Sequence, residues 1–192
     1  NACEQGEQWY KLAAEYGHPE AMLRLATNYL VVLNYHHSCY REFNGQWSED
    51  LPKNKPEGEK WLLLAAEQGY ADAMEELADM YFYGWISTDH KQAEKWFLKA
   101  AEKGKKYSML MLARLYSGVR ESGIPADYKK AYYWANQAIK NGVEEANYYL
   151  GQLYYYGKGV KKDHKKALSL FKKVKADYEY LRAGLMLQEM YL

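Results

Sequence analysis

The chain predicts an all-α solenoid of about five helix-turn-helix repeats, and three observations carry that prediction. A large apolar residue is followed by a tyrosine at a near-constant distance five times. Trp9 to Tyr29, Trp61 to Tyr81, Trp96 to Tyr116 and Trp134 to Tyr154 are each 20 residues apart, and Leu170 to Tyr191 is 21. The distance from each tyrosine to the next unit's large residue varies instead, at 32, 15, 18 and 16. Small residues recur at set offsets inside the rigid half. Units of this length bury their apolar faces only by stacking on neighbours, which is the sequence mark of a repeat array.

The first helix of each unit, A, surrounds the large residue. Three positions before it stand Gly6, Gly58, Ala93, Ala131 and Ala167, and one after it Tyr10, Leu62, Phe97, Ala135 and Phe171. Four and five after it come Ala13 and Ala14, Ala65 and Ala66, Ala100 and Ala101, Ala138 and Ile139, then Val174 and Lys175. Offsets of 3, 4, 7 and 8 describe one buried helical stripe, with alanine where a second helix approaches closely. Helix A is expected to stop at Gly17, Gly69, Gly104 and Gly142. The second helix, B, repeats small, leucine, small, tyrosine: Ala21, Leu25, Ala26, Tyr29; Ala73, Leu77, Ala78, Tyr81; Ser108, Leu112, Ala113, Tyr116; Ala146, Leu150, Gly151, Tyr154. The last copy, Ala183, Leu187, Gln188, Tyr191, has glutamine at the second small position. Glycine turns at Gly84, Gly118 and Gly157 follow helix B, and the first B helix is expected to continue through Leu33. The repeats run approximately 3–34, 55–87, 89–120, 126–160 and 163–192, in one repeat domain spanning 1–192, with an aromatic insertion at 35–54.

The phrases WLLLAAEQGYADAMEELADMYFYG from Trp61, WFLKAAEKG from Trp96 and LGQLYYYGKGVKKDHKKA from Leu150 resemble the Sel-like repeat (SLR) family, a relative of the tetratricopeptide repeat. That resemblance implies a right-handed superhelix of α-hairpins whose A helices line the concave surface. It implies a scaffold or adaptor in protein complexes. No cofactor is expected. Some bacterial members look like virulence or immunity factors, so a narrower form is an immunity protein that inhibits a cognate secreted toxin such as a lipase or phospholipase. A cysteine-rich subgroup is linked to β-lactam binding, but its regular cysteine pairs are missing here.

With 48% hydrophobic and 27% charged residues the chain has the composition of a folded protein. A formal net charge of +1 gives no general attraction to nucleic acid. Lysines 158, 161, 162, 165, 166, 172, 173 and 175 face one acid, Asp163, and form either a solvated face or a dock for an acidic partner. No apolar run approaches the ~20 residues that span a bilayer. Cys3, after Ala2, is a candidate lipid anchor. Cys3 and Cys39 are alternatively a disulfide or two free thiols. The bacterial periplasm or cell envelope is the expected compartment ahead of the cytoplasm.

Two surfaces are candidates for binding a partner protein. On the A helices, the columns flanking the buried stripe hold Leu12, Leu63, Leu64, Leu98, Tyr132 and Tyr133 in successive repeats, where a solvated face would hold charge. These residues form either a semi-apolar strip for a partner or the packed flank of a wide stripe. The long connection after Tyr29 carries Tyr35, Tyr40, Phe43 and Trp47, aromatic anchors on a loop or a cover for the first repeat.

Catalytic and metal signals are sparse, and the expectation is no enzyme and no metal. His36, His37 and Cys39 lack a spacing that converges ligands. Ser169 and Lys172 form an SxxK string, the basis of an alternative reading as a weak hydrolase of β-lactams or peptidoglycan.

Overall fold

A computed structural model describes residues 2–30, 55–84, 86–118, 123–174, 183–186 and 188. Every regular element among these residues is a helix, and the chain divides into two compact units, Asn1–Thr88 and Asp89–Leu192. The first holds α1 (Ala2–Glu15), α2 (Pro19–Leu30), α3 (Lys55–Glu67) and α4 (Ala71–Tyr83), each packed on the next. The second holds α5 (His90–Glu102), α6 (Lys106–Tyr116), α7 (Tyr128–Lys140), α8 (Ala146–Tyr156) and α9 (His164–Phe171), again each packed on the next, with α6 also touching α8. Odd-numbered helices are the A helices and even-numbered ones the B helices of an all-α solenoid. Residues 31–54, which include Leu33, Cys39 and the insertion, lie outside the described residues.

One turn, built four times, explains the 20-residue spacing. After helix A, Gly17, Gly69, Gly104 and Gly142 take φ between 86° and 89°. Each glycine amide donates to the carbonyl three residues back, on Ala14, Ala66, Ala101 and Ile139. The next amide, of His18, Tyr70, Lys105 and Val143, donates five back to Ala13, Ala65, Ala100 and Ala138. These paired bonds satisfy helix-end carbonyls only when the closing residue is left-handed, which glycine does without a Cβ penalty. With both helix ends tied to one geometry, the distance from tryptophan to tyrosine has no freedom to vary.

The predicted stripe is the core. Ala65, Ala66, Leu62, Ala93, Phe97, Ala100, Ala131, Ala135, Ala138, Ala167 and Phe171 are buried on the A helices, as are Leu25, Ala26, Leu77, Ala78, Leu112, Ala113, Leu150 and Leu153 on the B helices. Two close approaches use glycine. A Cβ at Gly58 would lie 2.5 Å from the Leu30 side chain and 3.2 Å from the Ala26 carbonyl oxygen, so α3 meets α2 almost backbone to backbone. A Cβ at Gly151 would lie 2.6 Å from the buried ring of Phe171.

The stripe fails in the first repeat. Trp9 is 71% exposed and Tyr10 is 42% exposed, against 8% and 0% for Trp61 and Leu62 at the same positions. Among the described residues, α3 packs on helices to both sides, α2 and α4, whereas α1 packs on α2. With Leu12 and Tyr16, also exposed, Trp9 makes an apolar face along α1.

Candidate protein-binding surface

A column of aspartates sets the entry of each A helix in the second unit. Asp89, Asp127 and Asp163 stand seven residues before Trp96, Trp134 and Leu170 and cap α5, α7 and α9. Their side chains accept from the backbone amides of Lys91 and Gln92, of Lys130, and of Lys166 at 2.9–3.0 Å. The amides of Asp127 and Asp163 in turn donate to the carbonyls of the preceding B-helix tyrosines, Tyr116 and Tyr154, at 3.0 and 2.9 Å. So Lys130 and Lys166, three residues after Asp127 and Asp163, are placed beside Tyr116 and Tyr154. The Lys130 ammonium lies 4.9 Å from the Tyr116 ring centroid and that of Lys166 lies 4.2 Å from the Tyr154 centroid, within cation–π range.

The tyrosine hydroxyls form a ladder with the A-helix residue 22 positions earlier. Tyr81 donates to the Glu59 carboxylate at 2.7 Å, and Tyr116 donates to that of Glu94. In the fourth repeat the equivalent residue is Tyr132, whose ring meets that of Tyr154 edge to face with centroids 6.4 Å apart. There Lys166 Nζ donates to the Tyr154 hydroxyl at 2.7 Å.

Electrostatics differ accordingly along the second unit. Burial first, then the hydrogen bond to Glu94 and its charge, push the Tyr116 phenol far above its ordinary 10.0. The Lys166 hydrogen bond holds Tyr154 below the ordinary value, and the same bond raises Lys166. Hydrogen bonding to Tyr154 raises Tyr132. Around Tyr116 lies an open cleft of ≈ 550 Å³, lined by Glu94, Tyr116, the 124–130 segment and Gly159.

Tyr116→Phe is expected to cost about 1.5 kcal/mol at neutral pH, the worth of a hydrogen bond to a charged acceptor. Because folding raises this pKa, the folded chain holds the phenolic proton more tightly than the unfolded one. The stabilisation is complete below pH 10.0 and is lost progressively as pH rises beyond it. Denaturant titrations below and above that pH check the sign, since the gap between wild type and Tyr116→Phe must narrow on the alkaline side.

The predicted binding residues fall into three groups. Leu63 and Leu64 on α3 and Leu98 on α5 are half-buried. Tyr132 and Tyr133 on α7 are 36% and 53% exposed, in two columns where α3 and α5 carry Glu59 and Glu94, and Lys60 and Lys95. Tyr35, Tyr40, Phe43 and Trp47 lie outside the described residues. Sequence reading missed the Asp column and the tyrosine ladder. The recurrent D-x-x-K of Asp127 to Lys130 and Asp163 to Lys166 was the available signal for the Asp column.

The Ser169 hydroxyl donates to the Lys166 carbonyl at 2.8 Å on the exposed side of α9, an ordinary helical back-bond. Among the described residues no three His, Cys, Asp or Glu side chains gather as a metal site, and no helix is long and apolar enough to cross a membrane.

A family model described as Sel1 repeat matches residues 3–18, 19–70, 71–105, 106–143 and 144–173. Its full copies begin at a B helix and close after the following A helix. Among solved structures, the chain is similar to a protective antigen present in uropathogenic Escherichia coli strains that displays an SLR fold. The TM-score is 0.68 and the identity 32%, over 88% of this chain and 32% of that one. It is similar to a Sel1 repeat protein from Oxalobacter formigenes, with TM-score 0.63, 26% identity and coverage of 89% and 63%. A Sel1 repeat protein from Klebsiella pneumoniae gives 0.54 and 26%, over 95% and 81%. The chain thus spans about a third of the first protein's length and under two thirds of the second's. On the family match across almost its whole length, the chain belongs to the Sel1 repeat family.

Proposed function

We propose that this chain is a non-enzymatic scaffold that binds a partner protein through outward residues of its A helices, with Tyr133 as a principal contact. The carrying observation is that Tyr132 and Tyr133 are exposed in two columns that are charged on α3 and α5. Tyrosine presents a large apolar face with a polar tip at low entropic cost, and exposed tyrosines on rigid helices suit a protein interface. Membership in a repeat family whose arrays serve as interaction scaffolds supports the same reading. Leu63, Leu64 and Leu98, two or three residues after the large residue of their repeats, belong to the other outward columns of the A helices, and the insertion residues Tyr35, Tyr40, Phe43 and Trp47 are a second candidate contact.

Capture from lysate and culture fluid of the source cell, with wild type and Tyr133→Glu run side by side, tests it. The variant is expected to lose a partner that the wild type retains, with unfolding free energy within about 0.5 kcal/mol, as for other exposed positions. Equal capture by both would remove α7 as the contact. The identity of the captured protein separates an adaptor from an immunity protein, for which it would be a secreted toxin such as a lipase or phospholipase.

A further inference from the structure

The fourth rung of the tyrosine ladder departs from the two before it at one residue. In the second and third rungs the B-helix hydroxyl donates to a carboxylate of its own chain, Glu59 or Glu94. In the fourth, Tyr132 replaces the glutamate, so Tyr154 meets a phenol ring and the Lys166 ammonium. Asp163, three residues before Lys166, accepts the Lys166 backbone amide as the cap of α9. In the third rung Lys130 Nζ lies 4.0 Å from the Asp127 carboxylate, whereas Lys166 Nζ donates to Tyr154.

The fourth rung therefore carries a cation and two phenols where the second and third rungs hold a carboxylate. Lys166 and Tyr132 are exposed, Tyr133 lies on the same turn, and Lys161, Lys162 and Lys165 are exposed close by in sequence. Ammonium and phenol donors converging on one position suit an anionic acceptor, and such charge-assisted hydrogen bonds are the strong ones. Glu59 and Glu94 show which group the equivalent position takes elsewhere in this chain.

Resting on the protein-binding reading above, we propose that Tyr132, Tyr154 and Lys166 receive a side-chain carboxylate from an acidic segment of the partner, with the 161–165 lysines attracting that segment. The two tyrosine hydroxyls and the ammonium replace the water lost by the incoming acid. The lysines contribute chiefly to encounter and are screened by salt.

Fluorescein-labelled hexaglutamate and hexaglutamine peptides, followed by anisotropy, test the assignment. Wild type is expected to bind hexaglutamate and not hexaglutamine. Tyr132→Glu reinstates the internal carboxylate of the other rungs, so it folds, and it is expected to weaken binding about tenfold or more. Lys166→Gln should do the same, and Tyr132→Phe, which removes only a hydroxyl, should weaken binding about threefold. Absence of hexaglutamate binding, equal binding of hexaglutamine, or Tyr132→Glu and Tyr132→Phe both binding as tightly as wild type would each overturn the proposal. Loss of peptide binding alongside partner capture that still depends on Tyr133 sinks the carboxylate assignment alone. Loss of both sinks the protein-binding reading with it.

Discussion

Trp96→Ala is expected to destabilise the protein by about 3–5 kcal/mol, the usual range for deleting a fully buried aromatic side chain. Trp9→Ala, the same substitution at the same repeat position, is expected to change stability by less than about 0.5 kcal/mol. Trp96 is 2% exposed, and the ammonium groups of Lys95 and Lys99 sit 5.1 and 4.3 Å from its ring centroid. Removing it forfeits its apolar burial, leaves a cavity and strips both lysines of a cation–π partner. Trp9 is 71% exposed and has little burial to lose. Chemical denaturation of the two variants checks the contrast, and equal losses would mean that position in the repeat, not burial, sets the cost.

Gly151→Leu is the second large effect, expected at about 1–3 kcal/mol or more of destabilisation from overpacking. Leucine is the better helix former by ~0.8 kcal/mol, so any loss reports packing and not propensity. A Cβ there already lies 2.6 Å from the Phe171 ring, and Phe171 is 1% exposed with little room to give. In the preceding repeat the two equivalent positions are Ala113 and Ala135, a pair of intermediate size, whereas here the smallest residue faces a large one. Phe171→Ala made together with Gly151→Leu should therefore recover part of the loss, and simple additivity in that double-mutant cycle would argue against direct contact.

The hairpin architecture was legible because a single turn geometry recurs. Glycine at 17, 69, 104 and 142 closes helix A with the same two hydrogen bonds, which locks the tryptophan-to-tyrosine distance into the sequence. Periodicity also assigned the buried stripe, but it reports which residues share a face and not what covers that face. Trp9 and Tyr10 stand at stripe positions and are exposed among the described residues.

The same limit applies to the binding strip. Leu63, Leu64, Leu98, Tyr132 and Tyr133 share outward columns in the sequence, yet packing leaves the leucines half-buried and the two tyrosines exposed. The rungs joining Tyr81 to Glu59, Tyr116 to Glu94 and Tyr154 to Tyr132 and Lys166 were out of reach for another reason. Each partner sits 22 or 12 residues away, a relation created by one helix packing on the next and not by any local spacing.

Site-specific photo-crosslinking from position 133 tests the central claim most directly. A benzophenone amino acid in place of Tyr133, activated in the source cell, is predicted to join the chain to one predominant protein, while the same group at exposed Tyr107 on α6 is not. Crosslinks of equal yield and identity from both positions, or none from 133 in folded protein, would contradict the assignment of α7 as the partner-binding face.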